Sequence, residues 1–291
     1  MRQGLPCTRA WLYEAGTEVA MSVSLLLVGC GNMGYAMLEG WLKSGKLKGS
    51  EVFVVEPNAG LRDRAKALGC QTGAEAAEVP QDAAPGLVVI AVKPQVIRDV
   101  LGAYRRLGDG STVFLSVAAG TPVATFREIL GGRTPIVRCM PNTPAAIGKG
   151  MMVVYSTPQV PAGTLDFITD LLSASGAVAT IADESLMDAV TAVSGSGPAY
   201  IFHFIECLTA AAENAGLPSE TARLLAKQTV FGAASLAVES SEEPGTLRQQ
   251  VTSPNGTTAA ALAVLMGEDR LKTLLTDAVE AARLRSIELG R

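Results

Sequence analysis

A single histidine, His203, stands in 291 residues, so no metal site built on clustered imidazoles is available. The same scarcity argues against a histidine-centred catalytic triad. The five cysteines (Cys7, Cys30, Cys70, Cys139 and Cys207) are odd in number, widely spaced and never paired as CxxC. Neither a disulfide framework nor a zinc site is suggested, no metal is expected, and a reducing, cytoplasmic setting fits best. No apolar run reaches the roughly 18 residues of a membrane span. Basic runs are missing too. With 24 basic and 28 acidic residues the net charge is −4, which argues against nucleic acid or an anionic membrane as the main partner. Charged residues make up only 18% and hydrophobic ones 48%, the balance of an ordered chain that loses surface to subunit contacts. The length is enough for two domains with a core of their own.

Residues 1–20 show no sustained periodicity and no long apolar core, and Glu14 and Glu18 count against a transit peptide. They read as a dispensable extension or the product of an upstream start codon, with Met21 directly before the first strand.

From residue 21 to about 182 the pattern alternates between short apolar runs and amphipathic stretches. Ser22 to Val28 is expected to be a strand buried on both faces. It enters GCGNMG, in which Gly29, Gly31 and Gly34 keep GxGxxG spacing, and a helix is expected from Asn32 to about Lys43. In such a loop the first glycine permits the turn, the second lets a pyrophosphate approach, and the third lets helix and strand pack. The next strand, Glu51 to Glu56, ends in an acid 25 positions after Gly31, where a carboxylate accepts hydrogen bonds from the adenosine ribose and repels a 2′-phosphate. Asn58, Arg62 and Arg64 follow it and offer a phosphate site if Glu56 turns away. Further strands are expected at Gln71–Gly73, Gly86–Val92, Thr112–Val117, Pro135–Cys139, Met151–Tyr155 and Ala177–Ile181, with helices between them. Thr121-Pro122 reads as a helix cap with proline at the first position. The expected fold is an α/β Rossmann-type domain with a mainly parallel sheet, its ligands beyond the strand carboxyl ends.

After about Ala182 strands cease, and residues 183–291 read as an all-α domain. Helices are expected at Glu184–Val193, Ala199–Asn214, Ser219–Glu239, Thr258–Met266 and Asp269–Leu289, with SSEEPGTL as a linker before Leu247 to Val251. SGSGP (Ser194 to Pro198) reads as a break between two of them. Val251 to Thr258, VTSPNGTT, is a turn that feeds an apolar helix. By composition it is a capping turn, and the same exposed N–H groups suit a small carboxylate or phosphate.

GCGNMG, AVKP (Ala91 to Pro94), VSGSGPAY (Val193 to Tyr200) and VTSPNGTT occur together, and the set resembles the pyrroline-5-carboxylate reductase family over residues 21–291. One position departs from the family signature: Asn255-Gly256 stands where Gly-Gly is usual. Asn is the non-glycine residue that best tolerates a left-handed turn. The resemblance implies NADPH or NADH held by Val28, Gly29, Cys30, Gly31, Asn32, Met33 and Gly34, by Glu56, by Ala91, Val92, Lys93 and Pro94, and by Val117, Ala118 and Ala119. It implies a substrate, the cyclic imine pyrroline-5-carboxylate, against Gly197 and Pro198 and against Ser253, Gly256, Thr257 and Thr258. Ser253 and the N–H groups of Gly256, Thr257 and Thr258 would take its carboxylate. The Thr258 hydroxyl would be the catalytic contact to the ring nitrogen. It further implies a homodimer through the helical domain, in some members five dimers around a ring.

That chemistry asks little of ionisable side chains, because the protonated imine is already electrophilic and the cofactor carries the hydride. A β-hydroxyacid dehydrogenase is the rival enzyme, but it relies on a lysine after a similar helix start, and Pro198 to Ala226 contains none. A non-catalytic dinucleotide sensor is the rival outside catalysis. His203 reads as a core or interface histidine. Lys93 stands either near the cofactor or in solvent.

Overall fold

Leu25–Val28 has no polar residue on either face, so it can only sit inside a sheet covered on both sides. The computed structural model, which describes residues 23–108 and 110–290, places it at the centre of one. In chain order the first elements are β1 (Leu25–Val28), α1 (Asn32–Lys43), β2 (Val52–Val55), α2 (Ala59–Ala67) and β3 (Gln71–Gly73). Then come β4 (Leu87–Ile90), α3 (Ile97–Gly102), β5 (Val113–Ser116), α4 (Val123–Leu130) and β6 (Ile136–Met140). The sheet closes with β7 (Gly150–Ser156), α5 (Ala162–Ser173) and β8 (Gly176–Thr180). The segment 1–20 lies outside the described residues.

The eight strands lie in the order β3-β2-β1-β4-β5-β6-β7-β8, parallel at every pairing except β6 with β7. Alternate side chains feed two cores. Leu25 and Leu27 join Met37, Leu38 and Trp41 of α1 and Ile168 and Leu172 of α5, whereas Leu26 and Val28 join Leu101 of α3 and Phe126 of α4. The chain turns back between β1 and β4, and there a doubly wound sheet opens its ligand crevice. The reversal at β7 has a second effect. Because β6 and β7 are antiparallel, the connection over residues 141–149 never leaves the carboxyl edge of the sheet.

Thr121 does not cap α4, contrary to the sequence reading. Pro122 occupies the cap position, and the N–H of Val123 donates to Glu184 Oε1 at 2.7 Å. The same oxygen accepts from Arg138 Nη1 of β6, also at 2.7 Å. A carboxylate from beyond the sheet therefore ties a helix start to a buried arginine, a longer-range solution than a local threonine offers. Removing it leaves both donors unmatched. Glu184→Ala is expected to lower the unfolding free energy by about 2 kcal/mol, discounted for the partly exposed glutamate. Denaturation at fixed protein concentration checks this, and a change below about 0.5 kcal/mol would reduce the strut to a surface contact.

The helical half comprises α6 (Met187–Val190), α7 (Gly197–Asn214), α8 (Ser219–Glu239), α9 (Pro244–Gln250), α10 (Thr257–Met266) and α11 (Arg270–Leu289). Two boundaries differ from expectation. SGSGP is no break: Thr191–Gly195 winds as a π-helical turn that runs into α7, with Pro198 in its first turn. The presumed linker before Leu247 is helical from Pro244, where proline again suits a first turn.

These helices build little core within one chain. Ala222 and Ala226 are the buried residues of α8, and α7 and α10 have none. Leu224, Phe231 and Val238 follow one another at seven-residue spacing on α8 and are 65%, 55% and 84% exposed. An exposed apolar stripe of this kind has the composition of a surface that packs against another. Among the described residues, no helix is long and apolar enough to cross a membrane.

Candidate active site

The three glycines of the loop after β1 do three different jobs. Gly29 has φ of +90°, and a side chain there would stand 2.7 Å from the Ala91 carbonyl oxygen. A Cβ on Gly34 would overlap the carbonyl oxygen of Gly29, so only glycine lets α1 pack this close to β1. A Cβ on Gly31 would meet nothing within 4 Å. The second glycine thus keeps space open in front of the backbone rather than inside the fold. Among the described residues no side chain caps α1. Open space before uncapped N–H groups is what a pyrophosphate requires, and the residues present fit a dinucleotide.

A cleft of about 560 Å³ extends from this loop, within the size range of ligand sites. Of the residues expected at the cofactor, Val28, Gly29, Gly31, Glu56, Ala91, Val92 and Lys93 line it, whereas Cys30, Asn32, Met33 and Gly34 are not among its walls. Lys93 therefore faces the cleft. Pro94 is not among its walls but starts a short helical turn beside it. Val117, Ala118 and Ala119 follow β5, one strand further along, where Val117 N–H donates to Ile90 O at 3.0 Å and Ala118 is buried. They lie outside the cleft walls. Sequence reading missed the opposite side of the cleft: Ala74, Glu75 and Ala76 after β3, and Val96, Val100, Ala103 and Tyr104 around α3. The strand order supplies the signal, because β3 flanks β2 and its exit opens on the same edge. Burial pushes the Tyr104 phenol up to about 12.

Glu56 is buried at the end of β2 and turns towards the loop. Its Oε2 accepts the Cys30 N–H at 2.8 Å and its Oε1 the Asn58 N–H at 3.0 Å. Cys30 has no exposed surface. Burial first, and the Glu56 carboxylate second, push its thiol up to about 11, so it contributes its N–H and not a thiolate.

The π-helical turn packs against the loop after β6. Asn142 Nδ2 donates to the Ser194 carbonyl at 3.2 Å, while Asn142 Oδ1 accepts the Met151 N–H at 2.9 Å. Gly195 meets Met140 so closely that any Cβ would overlap the methionine Cε. Tyr200 OH donates to the Ala192 carbonyl at 3.0 Å and braces the turn from α7. The loop Met140 to Pro144 (MPNTP) and SGSGP are therefore one unit, with Gly197 and Pro198 opening α7 just beyond it. Asn142 was missed as a site residue because its role depends on a partner 52 positions away.

Between α9 and α10 the VTSPNGTT turn takes the predicted shape: Asn255 has φ of +58°, the left-handed conformation expected of it. Gly256 differs from expectation. Its N–H donates to the Ser253 carbonyl at 3.0 Å, which closes the turn and leaves the next N–H groups, those of Thr257 and Thr258, for an anion. Among the described residues no side chain caps α10. Thr258 is half-buried in the first turn, Ser253 is exposed, and α10 packs on α11. His203 is exposed on α7 with Nδ1 3.0 Å from Glu206 Oε2, so within one chain it is no core residue.

A crevice of this kind on a mainly parallel sheet, followed by a helical region with an anion-ready turn, defines a dinucleotide-dependent oxidoreductase with a Rossmann-type domain. Comparison with known proteins narrows the class. Residues 184–289 match the family model described as pyrroline-5-carboxylate reductase dimerisation, and residues 24–120 match that described as NADP oxidoreductase, coenzyme F420-dependent. The chain is 40% identical over 269 residues to the pyrroline-5-carboxylate reductase of Pseudomonas aeruginosa, covering 91% of this chain and 96% of that one. It is 36% identical to that of Pisum sativum, covering 92% and 97%. The solved pyrroline-5-carboxylate reductase of Coxiella burnetii superposes with a TM-score of 0.86 at 33% identity, covering 93% of this chain and 99% of that one. The chain belongs to the pyrroline-5-carboxylate reductase family.

Proposed function

We infer that this protein reduces the cyclic imine 1-pyrroline-5-carboxylate to L-proline with NAD(P)H, the final step of proline biosynthesis. One observation carries the reading: a glycine loop open to pyrophosphate and an uncapped, hydroxyl-rich helix start occur in one chain of this family. When bound, the dinucleotide supplies hydride to the imine carbon. The chain's own task is to hold and orient.

In this reading the N–H groups of Thr257 and Thr258, with the Ser253 hydroxyl, take the substrate carboxylate, and Gly256 keeps the approach free of a side chain. The Thr258 hydroxyl hydrogen-bonds the ring nitrogen. It is a poor acid, so orientation is its main role and proton relay a secondary one. Gly197 and Pro198 complete the wall, just beyond the turn that Asn142 and Met140 hold at Ser194 and Gly195. Residues 21–182 serve as the dinucleotide-binding domain and 183–291 as the substrate and pairing domain. The exposed stripe on α8 supports a homodimer, and five dimers in a ring are its further assembly. The free, buried thiols Cys30, Cys70 and Cys139 suit a reducing cytoplasm.

Oxidation of NAD(P)H on adding pyrroline-5-carboxylate tests the activity, set against oxidation of a β-hydroxyacid with NAD(P)⁺. No oxidation above background with the imine removes the reading. Thr258→Ala is expected to lower kcat/KM by about tenfold to a few hundredfold, the worth of one oriented hydrogen bond. An unchanged value would make the hydroxyl a capping group only.

A further inference from the structure

We propose that Glu56 makes the cleft selective for NADH over NADPH, because its carboxylate is locked where the 2′-phosphate of NADPH would stand. The proposal rests on the reading of the cleft as a dinucleotide site.

An acid at the end of β2 discriminates only if it cannot swing away. Glu56 cannot: one carboxylate oxygen is held by the Cys30 N–H of the glycine loop, the other by the Asn58 N–H of the α2 cap. Both donors are backbone groups of well-packed elements, and the residue is 7% exposed while still forming cleft wall. Two acceptor oxygens with spare lone pairs suit the two hydroxyls of an unmodified ribose.

The groups that could have welcomed a phosphate are engaged elsewhere. Asn58 Oδ1 accepts the Leu61 N–H and caps α2. Arg62 Nη1 donates to the carbonyls of Glu56 and Pro57 at 2.7 and 2.6 Å, and so reaches backbone and not the carboxylate. Arg64 lies over the Tyr35 ring, 3.7 Å from its centre. Glu75 adds a second carboxylate to the same cleft. Among the described residues its one cationic wall residue, Lys93, follows β4, which lies two strands from β2 in the sheet, about 10 Å away at the usual spacing. A 2′-phosphate would enter a field of like charge, held in place by hydrogen bonds, while the neighbouring Arg62 is drawn onto backbone carbonyls.

Equilibrium titration of the intact protein with NADH and with NADPH, read by dinucleotide fluorescence without the imine, tests this. The expected result is tighter NADH binding by at least about tenfold. ADP-ribose should likewise outcompete 2′-phospho-ADP-ribose, which isolates the adenosine end. In Glu56→Gln, which removes the charge at nearly constant volume, the ratio should move towards NADPH by about tenfold. NADPH binding as tightly as NADH in the wild type overturns the proposal, as does an unchanged ratio in a folded Glu56→Gln protein. If that variant does not fold, the wild-type comparison decides alone. Because the imine is absent, failure here leaves the reductase reading standing. Loss of all dinucleotide binding would instead strike the reading of the cleft.

Discussion

Gly31→Asp is expected to leave the fold intact and abolish cofactor binding. Gly31 has φ of −65° and ψ of −164°, which any residue adopts, and its missing side chain faces open space. Stability should therefore stay within about 0.5 kcal/mol of the wild type. A carboxylate at that point would stand where a pyrophosphate meets the backbone. The dissociation constant for NADH should rise by about a hundredfold or more, from lost approach and like-charge repulsion together. Gly34→Ala provides the contrast. Its Cβ would strike the Gly29 carbonyl, so α1 must move off β1, at a cost of about 1–3 kcal/mol. Thermal melts and dinucleotide titration on both variants separate the two failures. Normal NADH affinity in Gly31→Asp would place the pyrophosphate elsewhere.

Leu224→Asp combined with Phe231→Asp is expected to yield monomers without reductase activity, kcat/KM falling at least about a hundredfold. Both side chains lie exposed on one stripe of α8, and a two-fold interface meets each substitution twice. Four carboxylates would then have to be buried in one apolar contact, which the interface cannot offset. Dinucleotide binding should survive, since the sheet has two cores of its own and neither includes α8. Sedimentation velocity reads the mass and fluorescence the binding. A variant that sediments as the wild type would show that the stripe is not the contact.

The sheet was legible because each central strand is a short apolar run, and such runs leave only a buried parallel arrangement. The glycine loop was legible for a related reason: three glycines at fixed spacing solve three steric problems, and each problem appears in the structure. Asn255 was read correctly from its tolerance of a left-handed turn. The misreadings share a cause. Thr121 and SGSGP were judged by their neighbours in the chain, whereas Glu184 and Asn142, 61 and 52 positions from the atoms they bind, decide the local structure. Gly256 was credited with an N–H that the turn uses for its own closure. The far wall of the cleft around Tyr104 carries no motif at all, and only the topology places it there.

The π-helical turn at Thr191–Gly195 has a geometric consequence for everything after it. A π turn holds one residue more than an α turn, and each residue of an α-helix advances the azimuth by about 100°. The added residue is therefore a rotation: it sets which way Ile201, Phe202 and Phe204 point along α7. Wound as plain α-helix, the same side chains would be turned by more than a quarter of a circle, with every apolar residue retained and aimed at a different neighbour. The direction of the exposed apolar face of α7 is thus written partly as a residue count, upstream of the face itself.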